Sequence, residues 1–455
     1  MKNILLTIVL ALFSASMFAQ SDSAFIRKVY DEALENGESY ENLRYLCKNI
    51  GNRITGSAEA EMAVYWGKQL LESYGFDKVF LQEINVPHWE RGTKEAAWLV
   101  DEQGKFLKIN ILALGGSVGT SGLLEKNLLI VKTLGDLKKL DKADVLGKIV
   151  YLGEAFDAKN IRTFDSYGQC GAQRWEGPSV AANMGASGLV IRSLGSEIDD
   201  YPHTGSFGRE DGVQPIPCAA ISTADSDKLE DWAKRSKLKI RMEMDCRWYD
   251  DAISYNVIGE MTGKKSDEII SWGGHLDSWD VGEGAHDDGA GIAHSIEALR
   301  ILKVLGYRPN HTLRCVLFMN EENGNFGGKG YAEQAFKDGE KHIAALESDR
   351  GGFLPLGFDI EGNENQISLV QDNSKVLQKH FQLYTFKAGY SGVDIHPLKE
   401  YYPDMVQLGL AINSQLYFNY HHTEADVFEA VNQRELELGC AAMAAMVYLL
   451  DQHLK

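Results

Sequence analysis

The stretch that decides the fold runs from Glu268 to Gly291 and reads EIISWGGHLDSWDVGEGAHDDGAG. Its beginning, Glu268–Trp272, is a short apolar run that predicts a buried strand, and His275 follows shortly after it. Its end is rich in Gly and Asp and leads into Ala290–Leu305, where apolar residues recur at helical spacing. A strand, a polar loop and a helix in succession predict an α/β unit.

The same pattern is repeated towards the C-terminus. Strands are predicted over Thr312–Met319 and His342–Leu346, and acidic residues follow each of them. A last helix is predicted from about Asn432 to His453, with Glu435 placed to complete a cap at its start. From residue 254 onward we therefore predict a three-layer α/β domain, in which ligands bind at the carboxyl ends of the strands.

The chain of 455 residues is too long for one hydrophobic core, so two domains or a large insert are expected. Residues 21–75 are predicted to be largely helical, and Val79–Val86 alternates like a strand. Gly115–Gly122 (GGSVGTSG) indicates a flexible junction, and the strands predicted after it suggest a small β-rich domain. The main domain is thus predicted over residues 21–119 and 251–455, with a β-rich insert over residues 120–250.

The N-terminal residues 1–20 have the pattern of a signal peptide, with Lys2, an apolar run over Ile4–Phe13 and small residues near Ala19. The alternative is an uncleaved membrane anchor, but the run is short for a span. No later stretch is apolar enough to cross a bilayer. We therefore expect an exported protein, periplasmic or extracellular. Its formal net charge of −19 argues against binding to nucleic acids or anionic membranes.

None of the six cysteines has the CxxC spacing of a cysteine zinc site. Cys315 and Cys440 lie in apolar segments and are predicted to be buried free thiols. Cys170, Cys218 and Cys246 lie in the central region, where export would permit a disulfide.

A set of His, Asp and Glu residues lies at the ends of the apolar runs, and these residue types bind zinc through nitrogen and oxygen. The candidate ligands are His275, Asp287, Glu322, Asp349 and one of the pair His421–His422. Each signal is weak alone, because an Asp before a helix is more often a cap, and this alternative is strongest for Asp288. Adjacent loop acids such as Glu321–Glu322 are also common in solvent. Together, at one edge of one sheet, they predict a metal site.

Three neighbouring acids have predicted supporting roles. Asp277 is expected to accept the second ring N–H of His275 and so to fix its tautomer. Asp426 is expected to orient one of the two adjacent histidines in the same way. Glu321 is expected to move protons beside the metal-bound water.

With these residues the chain resembles the co-catalytic dizinc exopeptidases, a family of zinc aminopeptidases and glutamate carboxypeptidases, and within it the carboxypeptidase Q-like enzymes. The matching segments are Gly51–Ser57 (GNRITGS), Val86–Gly92 (VPHWERG), His275–Gly282 (HLDSWDVG), Asn320–Glu322 (NEE), Glu347–Asp349 (ESD) and Tyr417–His422 (YFNYHH). The resemblance implies a three-layer zinc-exopeptidase (phosphorylase/hydrolase-like) catalytic domain with an inserted β-rich protease-associated domain.

The resemblance also implies roles for the residues. His275 and Asp349 would bind one zinc ion, Glu322 and His422 the other, and Asp287 would bridge both. Glu321 would be the general base and later the acid. These relatives imply a homodimer that hydrolyses dipeptides or short peptides with free termini.

Substrate binding is less defined by the sequence. Arg350, or Ser391 near Asp394, is a candidate for holding a substrate carboxylate. His421 occupies the place where many relatives have a tyrosine that stabilises the oxyanion. With Arg350, Ser391 and Asp394 it makes four candidate substrate-binding residues. Three other functions stay open: an aminopeptidase for longer peptides, a non-catalytic receptor-like binding ectodomain, and a glutaminyl cyclase.

Overall fold

The computed structural model describes residues 22–454. The predicted signal peptide over residues 1–20 lies outside the described residues. Within them, no helix has the length and apolar character needed to cross a membrane.

The strands of the described chain form two large sheets and one short two-stranded ladder. In chain order they are β1 (Lys78–Val86), β2 (Trp89–Glu90), β3 (Glu95–Asp101), β4 (Phe106–Ile109), β5 (Ile111–Ala113), β6 (Leu124–Val131), β7 (Ile149–Leu152), β8 (Gly188–Arg192), β9 (Cys218–Ile221), β10 (Leu238–Met244), β11 (Arg247–Trp248), β12 (Ala252–Met261), β13 (Lys265–His275), β14 (His311–Phe318), β15 (Lys341–Glu347), β16 (Pro355–Glu361), β17 (Thr385–Ala388) and β18 (Val406–Ile412).

The helices cover the sheets or connect their strands. They are α1 (22–36), α2 (Ser39–Tyr45), α3 (Ala58–Ser73), α4 (Leu134–Leu137), α5 (Lys142–Val145), α6 (Thr163–Trp175), α7 (Gly177–Asn183), α8 (Thr223–Ala233), α9 (Ala290–Val304), α10 (Phe326–Lys337), α11 (Glu364–Asn373), α12 (Lys375–His380), α13 (Leu398–Tyr401), α14 (Tyr417–Tyr420) and α15 (Gln433–His453). Asn432 caps α15 by accepting the N–H of Glu435.

The first sheet has the order β1-β12-β14-β13-β15-β18-β16-β17. Its centre is parallel, because β13 pairs in parallel with both β14 and β15, and β15 with β18. The carboxyl ends of β13, β14 and β15 therefore meet at one edge, and His275, Glu321 and Asp349 lie at or just after these ends. The topology thus brings together side chains that are 74 positions apart in sequence.

Both faces of the first sheet are covered, which is the predicted three-layer arrangement. On one face, Trp272 and Leu313 pack with Ile296 and Leu299 of α9 and with the apolar side of α15. On the other face, Val316 and Phe318 pack with α10 and α13. Side chains of β14 alternate between these two cores, as the period of a strand requires.

The second sheet has the order β4-β3-β10-β6-β7-β8-β9-β5 and belongs to a separate body, here called the second module (residues 89–248). It starts earlier than the predicted boundary at residue 120, because β3, β4 and β5 pair into it. The pairs β1–β12 and β2–β11 form its stem, since they join the outgoing and the returning chain. With four adjacent parallel strands and helices α4–α8, it is mixed α/β rather than mainly β.

The predicted flexible junction at Gly115–Gly122 is packed over its first half. A side chain at Gly115 would place its Cβ 1.7 Å from the indole of Trp279, so this glycine allows close packing. Ser117 is buried and accepts the N–H of Cys218. All six cysteines are buried and unpaired, which confirms the prediction for Cys315 and Cys440 and leaves no disulfide in residues 22–454.

Candidate metal centre

The first predicted ligand, His275, is the last residue of β13. Its Nδ1 lies 3.0 Å from the backbone oxygen of Asp277, and because a carbonyl can only accept, Nδ1 donates the proton. Nε2 therefore faces a space that it shares with two carboxylates. Oδ1 of Asp287 lies at 3.2 Å from it and Oδ1 of Asp349 at 3.5 Å.

Asp287 lies at the centre of the site, in the irregular turn Ala285–Gly289 before α9. Its backbone N–H and that of His286 donate to Asp426, at 3.0 and 2.7 Å. Asp426 therefore orients Asp287 and not a histidine, which corrects the sequence prediction. Asp288 does not line the cleft, and its carboxylate accepts the N–H of Gly291 in the first turn of α9 and the N–H of His275, each at 3.0 Å. It therefore ties the end of β13 to the start of α9, whose N-cap residue is Gly289.

His422 lies on the other side of Asp287. Its Nε2 is 3.2 Å from Oδ2 of Asp287 and 3.2 Å from Oε2 of Glu322. Its φ of 64° is in the left-handed region, a strained conformation for a residue other than glycine. His421 stacks on its ring at 3.5 Å between centroids, and its Nε2 is 3.7 Å from the same Asp287 oxygen.

The carboxylate of Asp277 holds the loop that carries the two glutamates. It accepts the backbone N–H groups of residues 320–322, at 2.7, 3.1 and 3.3 Å. Its Oδ1 lies 3.8 Å from Nδ1 of His275, so it does not accept the ring proton as predicted. The backbone oxygen of the same residue does so instead. Asp277 thus fixes both His275 and the Glu321–Glu322 loop, by two different groups.

Burial and the close contacts between carboxylates and histidines shift the pKa values of the groups in the site. Burial opposes ionisation of Asp287, but the hydrogen bonds from His275 and His422 hold its pKa well below the usual range. Burial likewise disfavours charge on both histidines, yet the facing carboxylates raise their pKa well above the usual value. For Glu321, burial and the neighbouring acids raise the pKa well above its ordinary value.

These residues fit a cation. The potential ligand atoms of His275, Asp287 and Asp349 all lie within 4.8 Å of one another, and so do those of Asp287, His421 and His422. Oε1 of Glu322 is buried without a hydrogen-bond partner in the described chain. Two histidines that face buried carboxylates are the nitrogen and oxygen ligands that zinc takes. Asp287 belongs to both groups and faces both histidines.

The site opens into a cleft of about 650 Å³ that both modules line. Of the four predicted substrate-binding residues, Arg350, Ser391 and His421 line this cleft. Asp394 does not, because it is fully buried behind the wall. Arg350 donates to Asp359 at 2.7 Å and Ser391 to Glu361 at 2.9 Å, so both already have acidic partners.

Sequence reasoning missed several cleft residues. The second module contributes Arg162, Phe164, Tyr167, Arg174, Trp175 and Ser206, and the first contributes Tyr417 and Lys387. It also missed Arg53, which is fully buried and donates to the backbone oxygens of Leu276, Glu283 and Gly284 at 2.8, 2.7 and 3.1 Å. The signal for Arg53 was available, since it lies in the segment Gly51–Ser57 that carries the family resemblance.

Comparisons with known proteins identify the family of the chain. The model of peptidase family M28 matches residues 256–447. Carboxypeptidase Q from Mus musculus is 33% identical over 417 residues, which cover 90% of this chain and 85% of the mouse protein. The crystal structure of a peptidase M28 precursor from Shewanella amazonensis has a TM-score of 0.90 at 32% identity, and the match covers 96% of this chain and 98% of that one.

A zinc aminopeptidase from Bacillus subtilis shares the fold, with a TM-score of 0.63 at 19% identity over 90% of this chain and 93% of that one. The similarity to carboxypeptidase Q that the sequence motifs indicate is thus confirmed. The chain belongs to peptidase family M28 and is a metallo-exopeptidase.

Proposed function

We propose that this protein is a zinc-dependent exopeptidase that hydrolyses dipeptides or short peptides with free termini. One observation carries the proposal: Asp287 lies between two histidines, with Nε2 of each at 3.2 Å. Asp349 on one side and Glu322 on the other complete two ligand groups that share Asp287. Two zinc ions would be held by His275, Asp349 and Asp287, and by His422, Glu322 and Asp287.

When bound, the zinc ions would polarise the scissile carbonyl and lower the pKa of the attacking water. Glu321 lines the cleft, and its carboxylate has no hydrogen-bond partner within residues 22–454. It would take a proton from the water and then donate it to the nitrogen of the leaving amine. Asp277 holds the backbone N–H of Glu321 and so keeps this carboxylate at the cleft edge.

The cleft supports a small substrate. Its volume lies within the range of roughly 300–1,000 Å³ that is usual for small-molecule sites. Arg162, Arg350 and Lys387 line it, and the side chains of Arg162 and Lys387 make no hydrogen bond or ion pair within the described chain. We assign the substrate carboxylate to these basic residues, with Arg350 as its contact through the guanidinium N–H groups that Asp359 and Tyr390 do not use.

The test compares unblocked dipeptides with the same dipeptides amidated at the C-terminus, and with longer peptides. Each is assayed on the purified protein with zinc and after chelation. The proposal expects hydrolysis of unblocked dipeptides, slower cleavage of the amides, and loss of both with the chelator. Equal rates for dipeptides, amides and longer peptides would favour an aminopeptidase instead. Two bound zinc ions without any hydrolysis would favour a binding ectodomain.

We further propose that the second module is a protease-associated domain, as the resemblance implies. The proposal is supported by its own sheet, in which the parallel strands β6–β9 lie together. Export to the periplasm or the exterior and assembly as a homodimer are proposed from the sequence alone. A periplasmic fraction of the producing cell and light scattering of the purified protein test these two predictions.

A further inference from the structure

The second module contacts the histidines of the metal centre through Arg174 and Tyr167 of α6 and through a buried loop. Thr204, between β8 and β9, is 1% exposed and exchanges two hydrogen bonds with His422. Its N–H donates to the backbone oxygen of His422 at 3.0 Å. Its own backbone oxygen lies 3.2 Å from Nδ1 of the same histidine. Thr204 of the second module therefore contacts both the backbone and the ring of this proposed ligand.

The contact at Nδ1 decides which ring nitrogen of His422 is free. Two groups approach Nδ1: the backbone oxygen of Thr204 at 3.2 Å, which can only accept, and Nη1 of Arg174 at 3.4 Å, which can only donate. The shorter contact makes Nδ1 the donor to Thr204, and the lone pair of a neutral ring is then left on Nε2. Nε2 is the atom that faces Glu322 and Asp287. The second bond, from the N–H of Thr204, holds the backbone of His422 at its left-handed φ of 64°.

Thr204 is in turn tied to the loop that carries the first ligands. Its hydroxyl donates to the backbone oxygen of Ala113 at 2.8 Å and accepts from Arg91 at 3.3 Å. Arg91 is buried, and its Nε and Nη2 donate hydrogen bonds to the carboxylate of Asp280 at 3.0 and 2.6 Å. Asp280 lies between His275 and Asp287 in the chain. Arg91 thus connects the loop between His275 and Asp287 to Thr204, the residue that contacts His422.

We propose that the second module is part of the metal centre: Thr204 sets the ring of His422 for zinc binding, and Arg91 is the positioning residue that holds Thr204. This inference rests on the proposed function, since it takes His422 as a zinc ligand. It gives the insert a role in assembling the site besides lining the cleft. Removal of an outer partner of a ligating histidine typically weakens metal binding about 10–100-fold.

The test uses Thr204→Val, which keeps the shape and removes the hydroxyl that anchors the loop. The matched control is Thr223→Val in the same module. Thr223 is also 1% exposed, and its hydroxyl donates to the backbone oxygen of Glu197 at 2.9 Å, but it has no contact with His422. Both variants lose a buried hydroxyl, so both should lose similar thermal stability. Zinc affinity of the apoprotein is measured by competition with a chromophoric chelator.

We expect wild type and Thr223→Val to bind two zinc ions alike, and Thr204→Val to bind one of them about 10-fold more weakly. This is the lower end of the range, because the carbonyl itself remains. Thr204→Ser keeps the hydroxyl and should therefore bind zinc with the affinity of the wild type. Unchanged zinc binding by Thr204→Val, or the same loss in Thr223→Val, would overturn the inference. If the wild-type protein does not bind two zinc ions, the proposed function itself is overturned.

If Thr204→Val does not fold, Arg91→Lys decides the matter. Lysine keeps a positive charge towards Asp280, but its single ammonium cannot replace the fork that also reaches Thr204. The same weakening of one zinc ion supports the role of Arg91. Two zinc ions bound with wild-type affinity would contradict it.

Discussion

Replacement of Glu321 by Gln should abolish most activity and leave both zinc ions in place. The change replaces one carboxylate oxygen by an amide NH2 group and leaves the shape of the side chain nearly the same. The side chain makes no hydrogen bond within the described chain, and its backbone N–H stays bonded to Asp277 at 3.1 Å. What is lost is therefore proton acceptance, which typically contributes a factor of about 10²–10⁴. That factor corresponds to about 3–5 kcal/mol of transition-state stabilisation.

The adjacent Glu322 provides the matched control, because the same change there should fail for another reason. Oε2 of Glu322 lies 3.2 Å from Nε2 of His422, so Glu322→Gln should lose zinc as well as activity. The assay combines kcat/KM on an unblocked dipeptide with zinc content by elemental analysis. The reasoning is refuted if Glu321→Gln keeps kcat/KM within a few-fold of wild type. It is equally refuted if that variant loses zinc as Glu322→Gln does.

Three further predictions follow from the same site. Asp287→Ala should lower zinc content from two ions per chain to less than one, because Asp287 faces both histidines; elemental analysis that still finds two ions would contradict its bridging role. Arg350→Ala should raise KM for unblocked dipeptides about 10-fold with little change for amidated ones, and an unchanged KM in both would end that assignment. Zinc binding should release protons, because the pKa values of His275 and His422 are raised well above the ordinary value without metal, and a raised pKa keeps them protonated until zinc displaces the proton. Zinc affinity should therefore be weaker at pH 6 than at pH 8. The measurement is the heat of zinc binding by calorimetry in two buffers with different ionisation enthalpies, which should differ if protons are released. Equal heats in the two buffers would contradict the prediction.

The sequence indicates the candidate ligands because strand ends are readable from apolar runs. His275 and Asp349 each follow such a run, and parallel pairing of β13 and β15 then brings them within 3.5 Å. The choice of His422 over His421 came only from the family resemblance. In the structure it agrees with the shorter distance of His422 to Asp287, 3.2 against 3.7 Å.

The supporting contacts were harder to predict, because sequence spacing does not tell which backbone amide a carboxylate will meet. The sequence predicts that Asp277 and Asp426 bind histidine rings, but both accept backbone N–H groups instead. The sequence also predicts too late a start for the second module, for a similar reason. Gly115 looked like part of a linker, whereas it is a glycine because Trp279 packs directly against it. The contributions of Arg174 and Thr204 depend on how two modules meet, which local patterns do not contain.

The most direct test of this account is a crystal of the zinc-loaded protein with diffraction data collected on both sides of the zinc absorption edge. We predict two anomalous peaks in the cleft, one next to His275 and Asp349 and one next to His422 and Glu322, with Asp287 between them. A single peak, or peaks away from these five side chains, would contradict the proposed dizinc site.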